Sequence, residues 1–277
     1  MNNDPYRGSR CLTEGYPDLE KLGVDHFKNQ QPIHHSIRDL IPCLRKLIDL
    51  SAMRPTIAVI GCGPKPDSVR ELLDEGFDAC GIEPVVGFAQ AAGEFLGDPA
   101  RITVGGAEMT HLPTGSQSIV VLESVLEHVD SPMLSLAECY RILAPGGVLF
   151  LNTTNRFKIS LRGENGEFRI PFYNWFPALV KEGYVFKHLH YAPHLANYSV
   201  RPAVHWFCYT ELCRLGREVG FAQFYSRLDF KGSYATGGAL KRFLKATLQN
   251  ATAKSPWIRA LALLQYGDAI FMYKRPE

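Results

Sequence analysis

The sequence has no C-x-x-C pair, no long unbroken apolar run and no block of like charge. The first absence matters because seven cysteines are present, Cys11, Cys43, Cys62, Cys80, Cys139, Cys208 and Cys213. They are scattered and odd in number, which argues against a disulfide framework or a cysteine zinc site. Cys62, Cys80 and Cys139 fall inside apolar patterns and read as small core residues. This usage suits a reducing, cytoplasmic setting. The second absence excludes a membrane-spanning helix. The opening "MNNDPYRGSR" is not apolar, so no signal peptide is expected. The third absence goes with 30 Lys and Arg against 28 Asp and Glu, a net +2, which argues against nucleic acid or another polyanion as a partner. No internal repeat or low-complexity segment is present.

What is there is an ordinary globular composition, 46% hydrophobic and 21% charged over 277 residues. That length suits one large α/β domain with insertions, or two small domains. Residues 1–53 read as an N-terminal arm and helix, and 54–277 as the domain itself. Within "HHSIRDLIPCLRKLIDL" (34–50), Ile37, Leu40, Ile41, Leu44, Leu47 and Ile48 stand at helical spacing. Pro42 either kinks that helix or marks its first turn.

From Thr56 the pattern alternates. Strands are predicted at 56–61, 78–84, 100–108, 117–124 and 145–154, with helices at 67–76, 87–97 and 131–144 between them. Asp67 or Ser68 is expected to cap the first of these helices, and Gly76 and Gly97 to end the first two. Strands joined by helices of this length make a parallel sheet covered on both faces. A helix follows at 209–221, with Thr210 as its expected cap and Gly220 at its end. Strands are predicted at 221–230 and 268–275. These last two could pair antiparallel across the intervening segment.

The stretch "TIAVIGCGPKPDSVRELLDEGFDACGIEP" (56–84) reads as strand, glycine loop, helix and strand, ending beside the acid Glu83. Against the dinucleotide fingerprint it offers Gly61 and Gly63, then Pro66 at the third glycine position. Pro64 and Pro66 remove N–H donors that a pyrophosphate would need. No Gly-Lys-Ser/Thr follows, so the P-loop pattern fails as well. A phosphate-free adenosine ligand meets neither objection. It needs backbone approach at the two glycines and an acid for the ribose hydroxyls. Glu83, twenty residues beyond Gly63, supplies that acid at a strand tip.

Four segments in register, "AVIGCGP", "GIEP", "GGAEMTHLPTGSQSIVVLESVLEHVDSP" and "RILAPGGVLFLNTTN", resemble the class I S-adenosylmethionine-dependent methyltransferases. The likeness is greatest to the small-molecule branch that includes ubiquinone-type enzymes. The resemblance implies a Rossmann-like, doubly wound, seven-stranded and mostly parallel α/β sheet. It implies S-adenosyl-L-methionine as cofactor, with Gly61, Cys62 and Gly63 along its methionine part. Glu83 would hold the ribose and Pro84 would border the adenine. Ala107 and Glu108 would lie on the adenine edge, and Glu123 and Ser124 by the amino-acid end. Two positions depart from the family pattern. Val59 stands where an acid usually helps bind the ammonium, and Gly106 where Asp is often found. Lys65 in the loop is also unusual and is expected to face solvent.

Methyl transfer to a hydroxyl is helped by a base, and histidine suits neutral pH. His128, after the fourth strand, is the first candidate base, with packing against the next helix as the competing role. His190 and His205 are further candidates for polar contact with substrate, and Glu127 reads as a structural acid. Residues 156–207 form an expected substrate lid, with Phe168, Phe172, Tyr173, Trp175, Phe176, Tyr184, Phe186, Tyr191, Tyr198, Trp206 and Phe207. That density suits an apolar or aromatic pocket, or the lid's own small core. Arg156, Arg162, Arg169 and Arg201 could clamp an anionic group or anchor loops. His188, His190 and His194 lack a Cys or acid to complete a metal set, so no metal is expected.

Residues 231–266 read as a helical insertion whose stripes, with Leu240, Phe243, Leu244, Trp257, Ile258, Leu261 and Leu264, would pack on the sheet or on a second copy in a homodimer. Lys241, Arg242, Lys245, Lys254 and Arg259 also permit peripheral contact with an anionic membrane. The function expected is methyl transfer to a small aromatic or hydroxylated acceptor, at oxygen. A lipid, quinone or sugar acceptor, transfer to carbon or nitrogen, and a non-catalytic binding protein are the alternatives. A nicotinamide enzyme is opposed by Pro66.

Overall fold

The computed structural model describes residues 36–50, 55–159, 170–177, 180, 203, 205–230 and 239–276. Of the expected N-terminal arm and helix, residues 1–35 and 51–53 lie outside them. So do His188, His190, His194, Arg162, Arg169, Arg201 and the lid aromatics Phe168, Tyr184, Phe186, Tyr191 and Tyr198.

The order of elements is a 3-10 turn Ile37–Leu40, α1 (Ile41–Leu47), β1 (Thr56–Ile60), α2 (Asp67–Asp74), β2 (Asp78–Glu83) and α3 (Val86–Leu96). Then come β3 (Ile102–Val104), β4 (Gln117–Glu123), α4 (Pro132–Ile142) and β5 (Leu143–Asn152). The chain closes with α5 (Tyr209–Val219), β6 (Gln223–Ser226), α6 (Ala239–Lys254), α7 (Pro256–Tyr266) and β7 (Ala269–Tyr273). The seven strands form one sheet of order β3-β2-β1-β4-β5-β7-β6. All pairs are parallel except those of β7, which runs antiparallel to both β5 and β6. The late antiparallel pair expected from the sequence is present. β7 also inserts beside β5.

The central strands are apolar on both faces because both faces are covered. Ile57, Val59, Val121, Phe150 and Phe271 pack with Ile37, Leu44, Val69 and Leu72 on one side. Their strand neighbours Ala58, Ile60, Val120, Leu122, Leu149 and Leu151 pack with Leu136, Cys139 and Leu212 on the other. This is strand periodicity with two cores. Each large side chain buried in this way contributes on the order of 2 kcal/mol. Cys139 is fully buried, and burial pushes its thiol up to about 12. Cys62 and Cys80 are only partly buried, at the margins of the two cores.

Several boundaries differ from the sequence reading. Pro42 lies in the first turn of α1, where its missing N–H costs nothing, and a 3-10 turn precedes it. Pro66, not Asp67 or Ser68, holds the cap position of α2. The cap of α5 is Cys208, not Thr210. The Glu211 carboxylate accepts from the Cys208 N–H at 2.9 Å, a reach-back bond that leaves Thr210 outside the cap. The third strand is short because Pro99–Arg101 forms a 3-10 turn, and the chain leaves the sheet after Val104. It then closes a small loop in which Gly106 and Met109 exchange hydrogen bonds. The sixth strand stops at Ser226, whose side chain and that of Asp229 cap a 3-10 turn.

The insertion is a helical hairpin, α6 and α7, but its apolar stripe does not pack on the sheet. Phe243, Leu244, Trp257, Ile258, Leu261 and Leu264 are exposed, while among the described side chains of α6 the buried ones are Gln249 and Thr252. Polar anchors hold the hairpin instead. Gln249 donates to the Phe230 carbonyl at 3.2 Å, and Arg259 grips Asp229 through two bonds of 2.7 and 2.8 Å. The Asn155 amide donates to the Leu264 carbonyl at 3.0 Å.

Candidate functional site

The strand order reverses between β1 and β4, so a crevice opens above their carboxyl ends. The loop after β1 enters it through Gly61 and Gly63, both at positive φ (70° and 67°). A side chain at Gly61 would meet Val125 at 2.3 Å, so the loop and the turn after β4 touch there without room for a methyl. The Gly61 and Cys62 N–H groups both donate to the Ile82 carbonyl, at 2.8 and 3.2 Å, which pins the loop to β2.

Glu83 ends β2 and is 5% exposed. One carboxylate oxygen accepts from the Gly63 N–H at 2.9 Å and the other from the Val85 N–H at 3.1 Å. Burial pushes its carboxyl up, and those two donors hold it down. Its own carbonyl accepts from the Gly105 N–H at 3.1 Å, so the loops after β1, β2 and β3 meet at one residue. Pro84 beside it is exposed. Ala107 is buried in the upper core, and Glu108 accepts from the Ser131 N–H at 2.6 Å at the start of α4. Glu123, at the tip of β4, is only partly exposed. Burial raises its carboxyl to about 7, against the pull of Arg227 and with repulsion from Glu71. Ser124 follows at a positive φ of 53°, and its N–H donates to the Asn152 carbonyl. Val59 is buried within the core under the loop, so no acid stands there.

The turn 125–129 follows β4 and carries His128. His128 is partly exposed on it, and its N–H donates to the Val125 carbonyl. The neighbouring acid, Glu127, is buried and accepts from the Thr153 hydroxyl at 2.6 Å, which links the ends of β4 and β5. His205 reaches the same turn from 53 residues beyond the end of β5 at Asn152. Its N–H donates to the Glu127 carbonyl, and its Nε2 to the Val129 carbonyl at 3.0 Å. A carbonyl only accepts, so the basic nitrogen of the neutral ring is Nδ1. Residues 205–207 run parallel to 154–156, held by bonds between Phe207 and both Thr154 and Arg156.

Against that pairing lies a cavity of about 440 Å³. Phe157, Trp175, Phe176, His205, Trp206 and Phe207 give it aromatic walls, and Arg156, Asn174 and Glu211 give it polar ones. The lid aromatics thus take two roles. Tyr173 is buried edge-on against Phe176 and Trp206, each 5.8 Å away, while Trp175 faces outward and lines the opening. Arg156 is committed to Glu211 at 2.9 Å and to the Trp206 carbonyl at 2.6 Å, an anchor for the segment.

The structure therefore brings together Gly61, Cys62, Gly63 and Glu83, and bonds His205 to the turn that carries His128. Sequence reading missed the network that fixes the loop after β3. Glu138 on α4 accepts from the Thr110 N–H and hydroxyl, at 2.8 and 2.6 Å, and is gripped by Arg141, which also donates to the Leu112 carbonyl. The (i, i+3) pair Glu138/Arg141 was its only trace in the sequence. Asn174, Glu211, Arg214 and Leu215 in the cavity were also missed, and no local pattern marks them. Among the described residues no group of His, Cys, Asp and Glu could hold a metal, and no helix is long and apolar enough to cross a membrane.

Comparison with known proteins agrees with this geometry. Residues 59–151 match the family described as methyltransferase domain. Ubiquinone biosynthesis O-methyltransferases from strains of Xanthomonas oryzae pv. oryzae are 49% identical over 43 residues, which is 16% of this chain. The chain thus spans about a fifth of the length of those curated relatives, 18%. A SAM-dependent methyltransferase from Methanosarcina mazei shares the fold with a TM-score of 0.51 at 18% identity, covering 86% of this chain and 100% of that one. Phosphoethanolamine N-methyltransferase 2 from Haemonchus contortus, in complex with S-adenosyl-L-methionine, has a TM-score of 0.53 at 12% identity, covering 97% of this chain and 60% of that one. Residues 59–151 thus match a methyltransferase domain, and the chain shares the fold of these two methyltransferases.

Proposed function

We propose that the protein transfers the methyl group of S-adenosylmethionine to a small hydroxylated or aromatic acceptor, at oxygen. The observation that carries the cofactor half is the junction of Gly63 and Glu83, a glycine loop wired directly to a buried carboxylate at the next strand tip. When bound, the cofactor supplies an electrophilic methyl on a sulfonium, a good leaving group. The backbone at Gly61–Gly63 would lie along its methionine part, Glu83 would accept from the ribose hydroxyls, and Ala107 would border the adenine. The prolines at 64 and 66 leave few N–H groups for a pyrophosphate, which disfavours a dinucleotide.

The acceptor half rests on the aromatic cavity beside the 205–207 segment. Its walls suit a flat, partly apolar molecule, and the protein's main task is to hold the acceptor in line with the methyl. An acceptor hydroxyl must lose its proton as the carbon–oxygen bond forms. His128 on the turn after β4 is the proposed base, with Nδ1 of His205 as the second site for that proton. The match to ubiquinone biosynthesis O-methyltransferases favours oxygen as the acceptor atom. A reading as a binding protein without turnover is favoured by the buried Val59, which leaves the ammonium without its usual acid.

Calorimetric titration with S-adenosylmethionine, its demethylated product and NAD tests the cofactor. Micromolar binding of the first two and none of NAD is expected, and tight NAD binding alone would overturn the reading. A screen of catechols, phenols and hydroxylated quinones with labelled methyl then tests the acceptor. Cofactor binding with no transfer to any of them would favour the binding-protein reading.

A further inference from the structure

The α6–α7 hairpin is built inside out. Helices on a protein surface normally turn apolar residues inward. Here α6 buries Gln249 and Thr252 and exposes Phe243 and Leu244, 67% and 58% accessible. On α7, Trp257, Leu261 and Leu264 lie at i, i+4 and i+7 on one stripe, with Trp257 83% and Leu261 68% accessible. Exposed apolar stripes of this kind mark a surface that meets something.

The charge around the stripe says what. Residues 231–267 contain Lys231, Lys241, Arg242, Lys245, Lys254 and Arg259, and no Asp or Glu. The acids at either edge are taken. Asp229 is held by Arg259 and Asp268 by Lys158. The rest of the chain holds 24 Lys and Arg against 28 Asp and Glu, a net −4, so the positive excess of the chain lies in this segment. Exposed apolar side chains, a tryptophan at the tip, an exposed Lys254 and a segment whose sequence has cations and no acid match the interface of an anionic bilayer. The Gln265 side chain bonds both the N–H and the carbonyl of Ile159, at 3.0 and 3.2 Å, so the hairpin is tied to the segment leading into the cavity.

We propose that the exposed face of the α6–α7 hairpin docks on an anionic lipid surface, with Trp257 and Leu261 inserted among the headgroups. This stands apart from the cofactor assignment. The tip residues Trp257 and Leu261 are too exposed to support the core, so their replacement by serine leaves the fold intact.

Sedimentation with vesicles of phosphatidylglycerol and phosphatidylcholine, compared with pure phosphatidylcholine vesicles, tests it. The wild type is expected to bind the anionic vesicles at least about tenfold more tightly, and to lose most of that binding as salt rises from about 0.1 to 0.5 M. The Trp257→Ser, Leu261→Ser double variant is expected to lose about tenfold or more, and Lys254→Glu to lose several-fold, with unchanged thermal unfolding. Equal binding to both vesicle types, or an undiminished double variant, would overturn the proposal. So would a wild-type dimer in solution that the double variant dissolves, with no vesicle binding by either, because the stripe would then belong to a second copy.

Discussion

Gly63 and Glu83 are joined by a single hydrogen bond of 2.9 Å, from the loop N–H to a carboxylate that is almost wholly buried. The glycine loop and this carboxylate at the tip of β2 are therefore one unit. A charged acceptor receives two backbone donors there, and any replacement must satisfy both.

Glu83→Gln keeps the shape and loses the charge. It is expected to weaken S-adenosylmethionine about ten- to hundredfold in calorimetric titration and to lower stability by about 1–2 kcal/mol. Binding within about twofold of wild type would remove Glu83 from the ribose contact.

Gly61→Ala places a methyl 2.3 Å from Val125 in a backbone at φ 70°. Strain and overlap together should cost about 2–4 kcal/mol in urea unfolding. The paired variant Gly61→Ala, Val125→Ala should recover part of that loss, because it removes the overlap but not the strain.

Glu138 gives a stability dependence on acid. The Arg141 guanidinium, with the Thr110 donors, lowers its carboxyl from 4.5 to about 2. Stability from this group is complete above pH 4.5 and is lost as pH falls through 2. Glu138→Gln should destabilise at neutral pH and flatten the fall in melting temperature between those limits. A variant with the wild-type acid profile would show that the network contributes nothing.

Glu123 runs the other way. Burial raises its carboxyl from 4.5 to about 7, so the folded state holds a proton that the unfolded chain releases. Its favourable share of stability is complete below pH 4.5 and falls as pH rises to 7. Glu123→Gln should match wild type near the acid limit and exceed it above neutral pH, by about 2–3 kcal/mol. Calorimetric melts across that range decide it, and equal melting temperatures at alkaline pH would refute it.

The parts of the fold legible in the sequence were those where one local force dominates. β1, β4 and β5 are buried on both faces and so appear as runs of Ile, Val and Leu. The spacing of Gly63 and Glu83 is legible because a strand, a loop and one helix fix the distance between them. Less visible were the features set by distant partners. The Cys208 cap depends on Glu211 reaching back, and residues 205–207 pair with 154–156 across some fifty intervening positions. The polar inward face of α6 contradicts the rule that apolar means buried, so periodicity gave the helix and reversed its orientation. Glu138 and Thr110 stand 28 residues apart, and only packing of α4 under the β3 loop makes them neighbours.

β7 lies between β5 and β6, antiparallel to both. β6 is therefore attached to the sheet only through a strand that follows it by more than forty residues. During synthesis the first five strands can assemble as they leave the ribosome, before β7, the strand that β6 pairs with, has been made. The unpaired margin of β5 stays exposed for that interval, offering its Leu149, Phe150 and Leu151 to any passing strand. Insertion of Ala269–Tyr273 closes it and completes both hydrophobic layers in one step, which makes this short segment the latch of the whole domain.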